Sequence, residues 1–163
     1  MSEIYRSSHE PENYNCPFCR IARGADGPDM WMGQSDVFYR TEHITAFING
    51  RWWVNNPGHA LVIPNRHIEN IYELVPEIAL HVHEAARQVA IAFKKVYSCD
   101  GTSTRQHNEP AGYQEVWHYH LHVFPRYHGD ELYERTREHR RTTLEERLPY
   151  AEKLRVYFDG LHS

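Results

Sequence analysis

Thirteen of the 163 residues are histidine, and three of them stand at alternate positions: His118, His120 and His122 in the run Val-Trp-His-Tyr-His-Leu-His-Val-Phe-Pro-Arg. The segment is rich in aromatic and β-branched residues and meets Pro125, a composition that predicts a strand over 116–124. Alternate side chains of a strand share a face, so the three imidazoles are expected in a row roughly 6.5–7 Å apart. Trp117, Tyr119, Leu121 and Val123 are then expected to face the core. Such a row can ligate a metal, or it can supply a nucleophile flanked by hydrogen-bonding neighbours for phosphoryl or acyl transfer. A single ion held by all three fits poorly, because the row spans about 13–14 Å while zinc bonds are about 2 Å long.

Several other segments must position that row. Val37–Arg40 and Ile44–Ile48 flank a short Thr41-Glu42-His43 turn and read as a hairpin. Ala60 to Ile63 reads as a third strand stopped by Pro64, Gly101–Gln106 as a fourth, and the histidine segment as a fifth. Asn49 to Gly58 reads as a long connection carrying Trp52 and Trp53. Apolar residues at Ile78, Val82, Ala85, Ala86, Val89, Phe93 and Val96 follow helical spacing and predict a helix over 76–97, with Pro76 in its first turn. A second helix is expected over 145–158, with Leu148 and Leu154 facing inward. His139-Arg140-Arg141 reads as a solvated helix or loop face. Antiparallel strands with one long helix give an α+β fold.

The length fits one domain able to bury a core without disulfides. Charged residues are 25% and hydrophobic residues 40% of the chain, with a net charge of −4. That balance gives no electrostatic grip on nucleic acid. There is no run of 18 apolar residues for a membrane span. Residues 1–15 are polar and acidic, unlike a secretory signal, and are expected to form a loose arm. Three cysteines make no disulfide framework, which points to a reducing, cytoplasmic setting.

Two smaller signals accompany the histidine row. Ala111-Gly112 precedes it, where a backbone can approach a ligand closely. Pro57-Gly58-His59 places a histidine at the start of an inner strand, a weak signal alone. Together these pieces resemble the histidine triad (HIT) superfamily of nucleotide hydrolases and transferases, whose signature stands here as His118-Tyr119-His120-Leu121-His122-Val123-Phe124. Residues 44–49 resemble that family's nucleoside-pocket strand, 57–64 its central strand and 106–114 its phosphate loop. The resemblance runs colinearly over 16–126 and marks 127–163 as a C-terminal extension packed on that domain. It implies a five-stranded antiparallel sheet that joins a second sheet in a homodimer.

The same resemblance assigns roles. His120 would attack the α-phosphate of a nucleotide to give a covalent nucleotidyl-histidine, His122 would bond the phosphate or leaving group, and His59 would line the same pocket. Asn49 would bind the ribose, Phe47 and Ile48 the base, and Gln106 and Gln114 the phosphate. Glu115 departs from the family pattern, since a carboxylate aimed inward would repel phosphate; Tyr113 is one extra residue in the loop.

Cys16 and Cys19 form a CxxC that alone is compatible with redox chemistry, metal binding or coincidence. In some bacterial members of the family such a pair joins two histidines in a zinc site, which here implies Cys16, Cys19, His67 and His118. Zinc closed by four protein ligands is structural. The loop acids Glu109 and Glu115 make no magnesium-type cluster, so the chemistry is expected to need no added divalent ion. A nucleotide-binding regulatory or scaffold protein with little turnover is the alternative, because binding and catalytic residues largely coincide.

Overall fold

A computed structural model of the chain describes residues 5–161. Its elements run α1 (Pro17–Ala22), β1 (Val37–Arg40), β2 (Ile44–Ile48), β3 (Arg51–Trp53), β4 (Ala60–Pro64), α2 (Pro76–Ala92), β5 (Gly101–Gln106), β6 (Leu121–Arg126), β7 (His139–Arg141) and α3 (Leu144–Gly160). Five strands form one antiparallel sheet in the order β1-β2-β4-β6-β5, and β3 pairs with β7 in a separate ribbon. The architecture is α+β, as the pattern predicts.

The central strands are apolar on both faces because both faces are covered. Ile44, Ala46 and Ile48 of β2, Ala60 and Val62 of β4, and Leu121 and Val123 of β6 pack with Val82, Ala86 and Val89 of α2 and with Leu154 and Phe158 of α3. Phe47, Leu61 and Ile63 point the other way, onto Cys16, Phe18 and Ile21 of the N-terminal segment. The period-2 alternation of each strand thus divides a helix-covered face from a face that carries chemistry.

Several expectations need correction. The histidine segment is not one strand: ladder pairing begins at Leu121, and 116–120 bend away from the sheet. The reason lies in β4, which pairs only as far as Val62 with Leu121; beyond that, Tyr119 N–H donates to the Ile68 carbonyl instead (2.6 Å). Trp117 is accordingly half-buried against His9 rather than in the core, while Tyr119 is buried. His139–Arg141 is a short strand whose partner is the stretch expected to be a plain connection, its side chains exposed. Leu148 points outward at 37% exposure, and the inner face of α3 is completed by Ala151, Leu154 and Phe158.

The described part of the arm is also bound rather than loose. Ser8 Oγ and His9 N–H donate to the Glu69 carboxylate (2.5 and 2.7 Å), and Ser7 Oγ donates to Glu109 (2.9 Å). These contacts tie residues 7–9 to the loops on either side of the chemical face.

The C-terminal extension is integral to the core. Arg147 of α3, 2% exposed, donates from Nε to Asp36 Oδ1 (2.7 Å), from Nη1 to Thr142 O (2.7 Å) and from Nη2 to Trp31 O (2.8 Å). Asp36 is itself fully buried. Removing one partner of a buried pair strands the other charge, which costs about 3–5 kcal/mol. Arg147→Met is therefore expected to lower the urea unfolding free energy by about that much, and Asp36→Leu with Arg147→Met to recover part of it. A single-variant loss below about 1 kcal/mol would show that α3 is held by its apolar face alone.

Candidate active site and metal cluster

The face opposite α2 collects the imidazoles. His122, on β6, lies beside His59, which immediately precedes β4: His59 Nε2 and His122 Nδ1 are 2.9 Å apart and the rings stack at 21°. His59 also stacks on Phe124 with centroids 4.0 Å apart. Its other nitrogen, Nδ1, donates to the Arg51 carbonyl (3.3 Å), with the Asn49 amide 3.5 Å away. With Nδ1–H so engaged, His59 Nε2 accepts from His122 Nδ1–H, and the His122 Nε2 lone pair is left without a hydrogen bond among the described residues.

The sharp turn into β4 needs Gly58. It adopts φ +78, and a Cβ there would meet Tyr150 Cδ1 at 2.4 Å. Pro-Gly-His thus both turns the chain against α3 and delivers an imidazole to the start of the strand.

His120 precedes β6 and is 7% exposed, its ring edge-on to Phe18 at 5.3 Å. Its Nδ1–H donates to the His118 carbonyl (2.7 Å), which fixes the tautomer with the lone pair on Nε2. Nε2 has no partner among the described residues. Burial holds the His120 ring down to about 4, so it is neutral and nucleophilic near neutrality.

His118 turns to a different set of groups. Its Nε2–H donates to the Pro64 carbonyl (2.9 Å), and its Nδ1 lies 3.3 Å from Cys16 Sγ and 3.5 Å from Cys19 Sγ. His67 repeats the arrangement: Nε2 bonds Glu10 Oε2 (2.8 Å) and Nδ1 sits 3.2 Å from Cys19 Sγ. One ligand atom from each of Cys16, Cys19, His67 and His118 falls within 4.8 Å of the others. Two thiols and two Nδ1 lone pairs, each imidazole oriented by an acceptor on its far nitrogen, form a donor set that fits tetrahedral zinc.

The expected nucleotide contacts divide. Phe47 lies on the chemical face against Phe18 (5.4 Å), and Asn49 is buried beside His59. Ile48, in contrast, belongs to the core under α2 and backs the strand from the other side. Gln106 pairs with Leu121 in the ladder, and its Nε2 donates to His107 O (2.8 Å) and Asn108 Oδ1 (3.0 Å). Gln114, 4% exposed, donates to Glu69 O (2.6 Å) and Val116 O (3.0 Å) and accepts from Glu109 N–H (2.9 Å). Both amides hold the loop 106–116 together. Glu115 is exposed and pairs with Arg51 Nη1 (2.5 Å), which offsets a negative charge that His120 still feels.

Other members of the site had no motif to announce them. His107 donates from Nδ1 to Gly112 O (2.6 Å) and meets the His122 ring edge-on at 5.6 Å. Arg105 is the ladder partner of His122 and therefore shares its face. The signal for Arg105 was period 2 in β5, legible only once the register with β6 is known.

A matching family model, described as HIT domain, covers residues 33–129. The protein hit of Bacillus subtilis (strain 168) is 38% identical over 113 residues, 69% of this chain and 72% of its own. The bis(5'-nucleosyl)-tetraphosphatase [asymmetrical] of Schizosaccharomyces pombe (strain 972 / ATCC 24843) is 33% identical over 96 residues, 59% of this chain and 52% of that one. A crystal structure of a Zn-bound histidine triad family protein from Mycobacterium smegmatis superposes with a TM-score of 0.74 at 27% identity, covering 91% of this chain and 96% of that one.

The buried imidazoles make stability depend on pH. Burial pushes His59 down to about 3; the Arg51 carbonyl opposes the shift, and the charges of Arg105 and His120 add to it. An unfolded histidine titrates near 6.5. Between about 6.5 and about 3 the unfolded chain binds a proton that folded His59 refuses, so stability is full above that window and falls as pH drops through it. His59→Gln should lessen the loss of urea midpoint between pH 6.5 and 4.5. Equal slopes for the two proteins would assign the acid sensitivity to other groups. With the imidazole row, the cysteine–histidine cluster and the matched domain in agreement, the chain belongs to the HIT family.

Proposed function

We propose that the protein is a nucleotide hydrolase or nucleotidyltransferase that works through a covalent nucleotidyl group on His120. The observation that carries this reading is the His120 tautomer: Nδ1–H is committed to the His118 carbonyl, and Nε2 is a neutral, unbonded lone pair on the chemical face. The relationship to a bis(5'-nucleosyl)-tetraphosphatase supports a nucleotide substrate.

In the first step His120 Nε2 forms a bond to the α-phosphorus, and the bond from phosphorus to the leaving-group oxygen breaks with its electron pair. In the second, water attacks the same phosphorus and the N–P pair returns to Nε2. The His122 Nε2 lone pair takes the proton of that water, and the resulting positive charge is shared through Nδ1 with His59 and the Arg51 carbonyl. Phe47 and Asn49 form the nucleoside side of the pocket. Gln106 and Gln114 serve the phosphate indirectly, by bracing the loop 106–116 that borders the imidazoles.

The Cys16, Cys19, His67 and His118 cluster would hold one zinc ion. Bound there, zinc supplies order, because all four positions are protein ligands. A second copy of the chain joined at β5, one of the two outer strands of the sheet, completes the reading as a homodimer. The described residues contain no helix long and apolar enough to cross a membrane.

Quench in alkaline detergent, which preserves an acid-labile N–P bond, after mixing the protein with a dinucleoside polyphosphate labelled at the α-phosphate should trap label on the chain. His120→Ala should abolish the trapped label and lower turnover at least about 1,000-fold, roughly 4 kcal/mol of lost transition-state stabilisation. Turnover within about tenfold of the unaltered protein would remove His120 as nucleophile, and undetectable turnover by the unaltered protein would favour a binding role. Elemental analysis should find close to one zinc per chain, and Cys16→Ser should lower both zinc content and melting temperature. Metal-free protein of unchanged stability would remove the zinc assignment without touching the nucleophile.

A further inference from the structure

Among the described residues, one cation on the chemical face has no counter-charge. Arg105 projects from β5 opposite His122, and its guanidinium lies over Phe124 (4.5 Å from the ring centroid) and Trp53 (4.9 Å), with Tyr133 at 5.9 Å. The three rings hold it as a stacked planar ion. Its Nε and Nη2 are buried, and among the described residues they have no hydrogen-bond partner and the guanidinium makes no ion pair. Neighbouring arginines differ: Arg51 is paired with Glu115, and Arg126 with Asp130 (2.6 Å). A buried donor left unbonded costs free energy comparable to a lost hydrogen bond, and more when it is charged. A guanidinium that keeps two unbonded donors beside the imidazole pair is a charge-assisted partner for the oxygens of an anion, which reaches Nε and Nη2 by shifting the aromatic walls that cover them.

The position narrows which anion. On the sheet, Arg105 stands on the β5 side of His122 and Phe124, whereas Phe47 and Asn49 of the nucleoside side lie on and just beyond β2, with β4 and β6 between. The α-phosphate must reach His120 Nε2. A group beyond Arg105 is therefore the part of the substrate that departs. The His122 tautomer agrees: His122 Nε2 offers a lone pair rather than a proton, so an amine leaving group that must be protonated finds no resident donor there. A phosphate leaving group needs only stabilisation of the electron pair that its oxygen keeps.

We propose that Arg105, clamped by Trp53 and Phe124, binds the phosphate that leaves, and so selects nucleotides whose α-phosphate carries a further phosphate over those that carry an amine. This rests on the reading of His120 as the attacking group. When the bond between α-phosphorus and bridging oxygen breaks, the oxygen of the departing phosphate takes the pair, and the Arg105 N–H donors share the added charge without a proton changing hands.

Binding and turnover can be tested separately. Calorimetry compares adenosine 5'-monophosphate with α,β-methylene adenosine diphosphate on the unaltered protein, Arg105→Met and Arg105→Lys. Arg105→Met should weaken the diphosphate analogue at least tenfold and the monophosphate less than twofold, with Arg105→Lys in between because it keeps the charge but not the fork. In steady-state assays, Arg105→Met should lower kcat/KM about 30-fold or more for a dinucleoside triphosphate and less than threefold for a nucleoside 5'-phosphoramidate. Equal losses for both members of either pair, or no loss, would overturn the assignment. If Arg105→Met fails to fold, Arg105→Lys decides the same question at smaller amplitude. Intact discrimination in binding together with loss of label trapping on His120 would fault the covalent reading and leave the Arg105 subsite standing; no binding of either nucleotide by the unaltered protein would overturn both.

Discussion

The His118 ring is fixed at both nitrogens, and the reactive face is organised from that point. Nε2–H is held by the Pro64 carbonyl at the end of β4, and Nδ1 sits against the two thiols of the N-terminal segment. A ring held that way fixes its own backbone, so the His118 carbonyl stands where His120 Nδ1–H can donate to it. The tautomer of His120 is thus decided by the residue two positions earlier, itself anchored through side chains about a hundred residues away in sequence. An imidazole with one nitrogen committed has only the other to offer, which is what nucleophilic attack needs.

Electrostatically, the face gathers neutral rings and disposes of most charges elsewhere. Burial keeps His59, His120 and His122 below their usual range. Neutral imidazoles can then lie at 2.9 Å from one another without repulsion. The Glu115 carboxylate is exposed and neutralised by Arg51 at the edge of the face. Arg105 is the exception, a cation kept on the reactive face by ring stacking alone. Its charge also lowers the affinity of His59 and His122 for a proton.

The terminal segments serve the same face by different means. The arm links the cysteine–histidine cluster to the loop 106–116: Glu10 orients His67, while Ser7 and His9 reach Glu109. The end of the chain brings α3 under β1 through Arg147 and Asp36, and β7 against β3. That second contact positions Trp53, one wall of the Arg105 site, whose indole N–H donates to Thr136 O (2.9 Å).

Much of this was legible along the chain. Short strand-forming runs bounded by turn residues or Pro64 placed β1, β2, β4 and β5, helical spacing placed α2, and the alternating histidines with the CxxC marked both chemical clusters, because each of these signals depends on residues close in sequence. Composition also favoured a strand over 116–120, yet the chain bends there, since Ile68 and Pro64 supply carbonyl acceptors that the sheet does not. Tertiary structure alone decided that Ile48 faces α2 while Phe47 faces the imidazoles, that Gln106 and Gln114 spend their amides on the loop, and that Arg105 stands beside His122. Each of those outcomes is a matter of strand register and of which distant groups remain free to bond, and neither is encoded in the spacing of neighbouring residues.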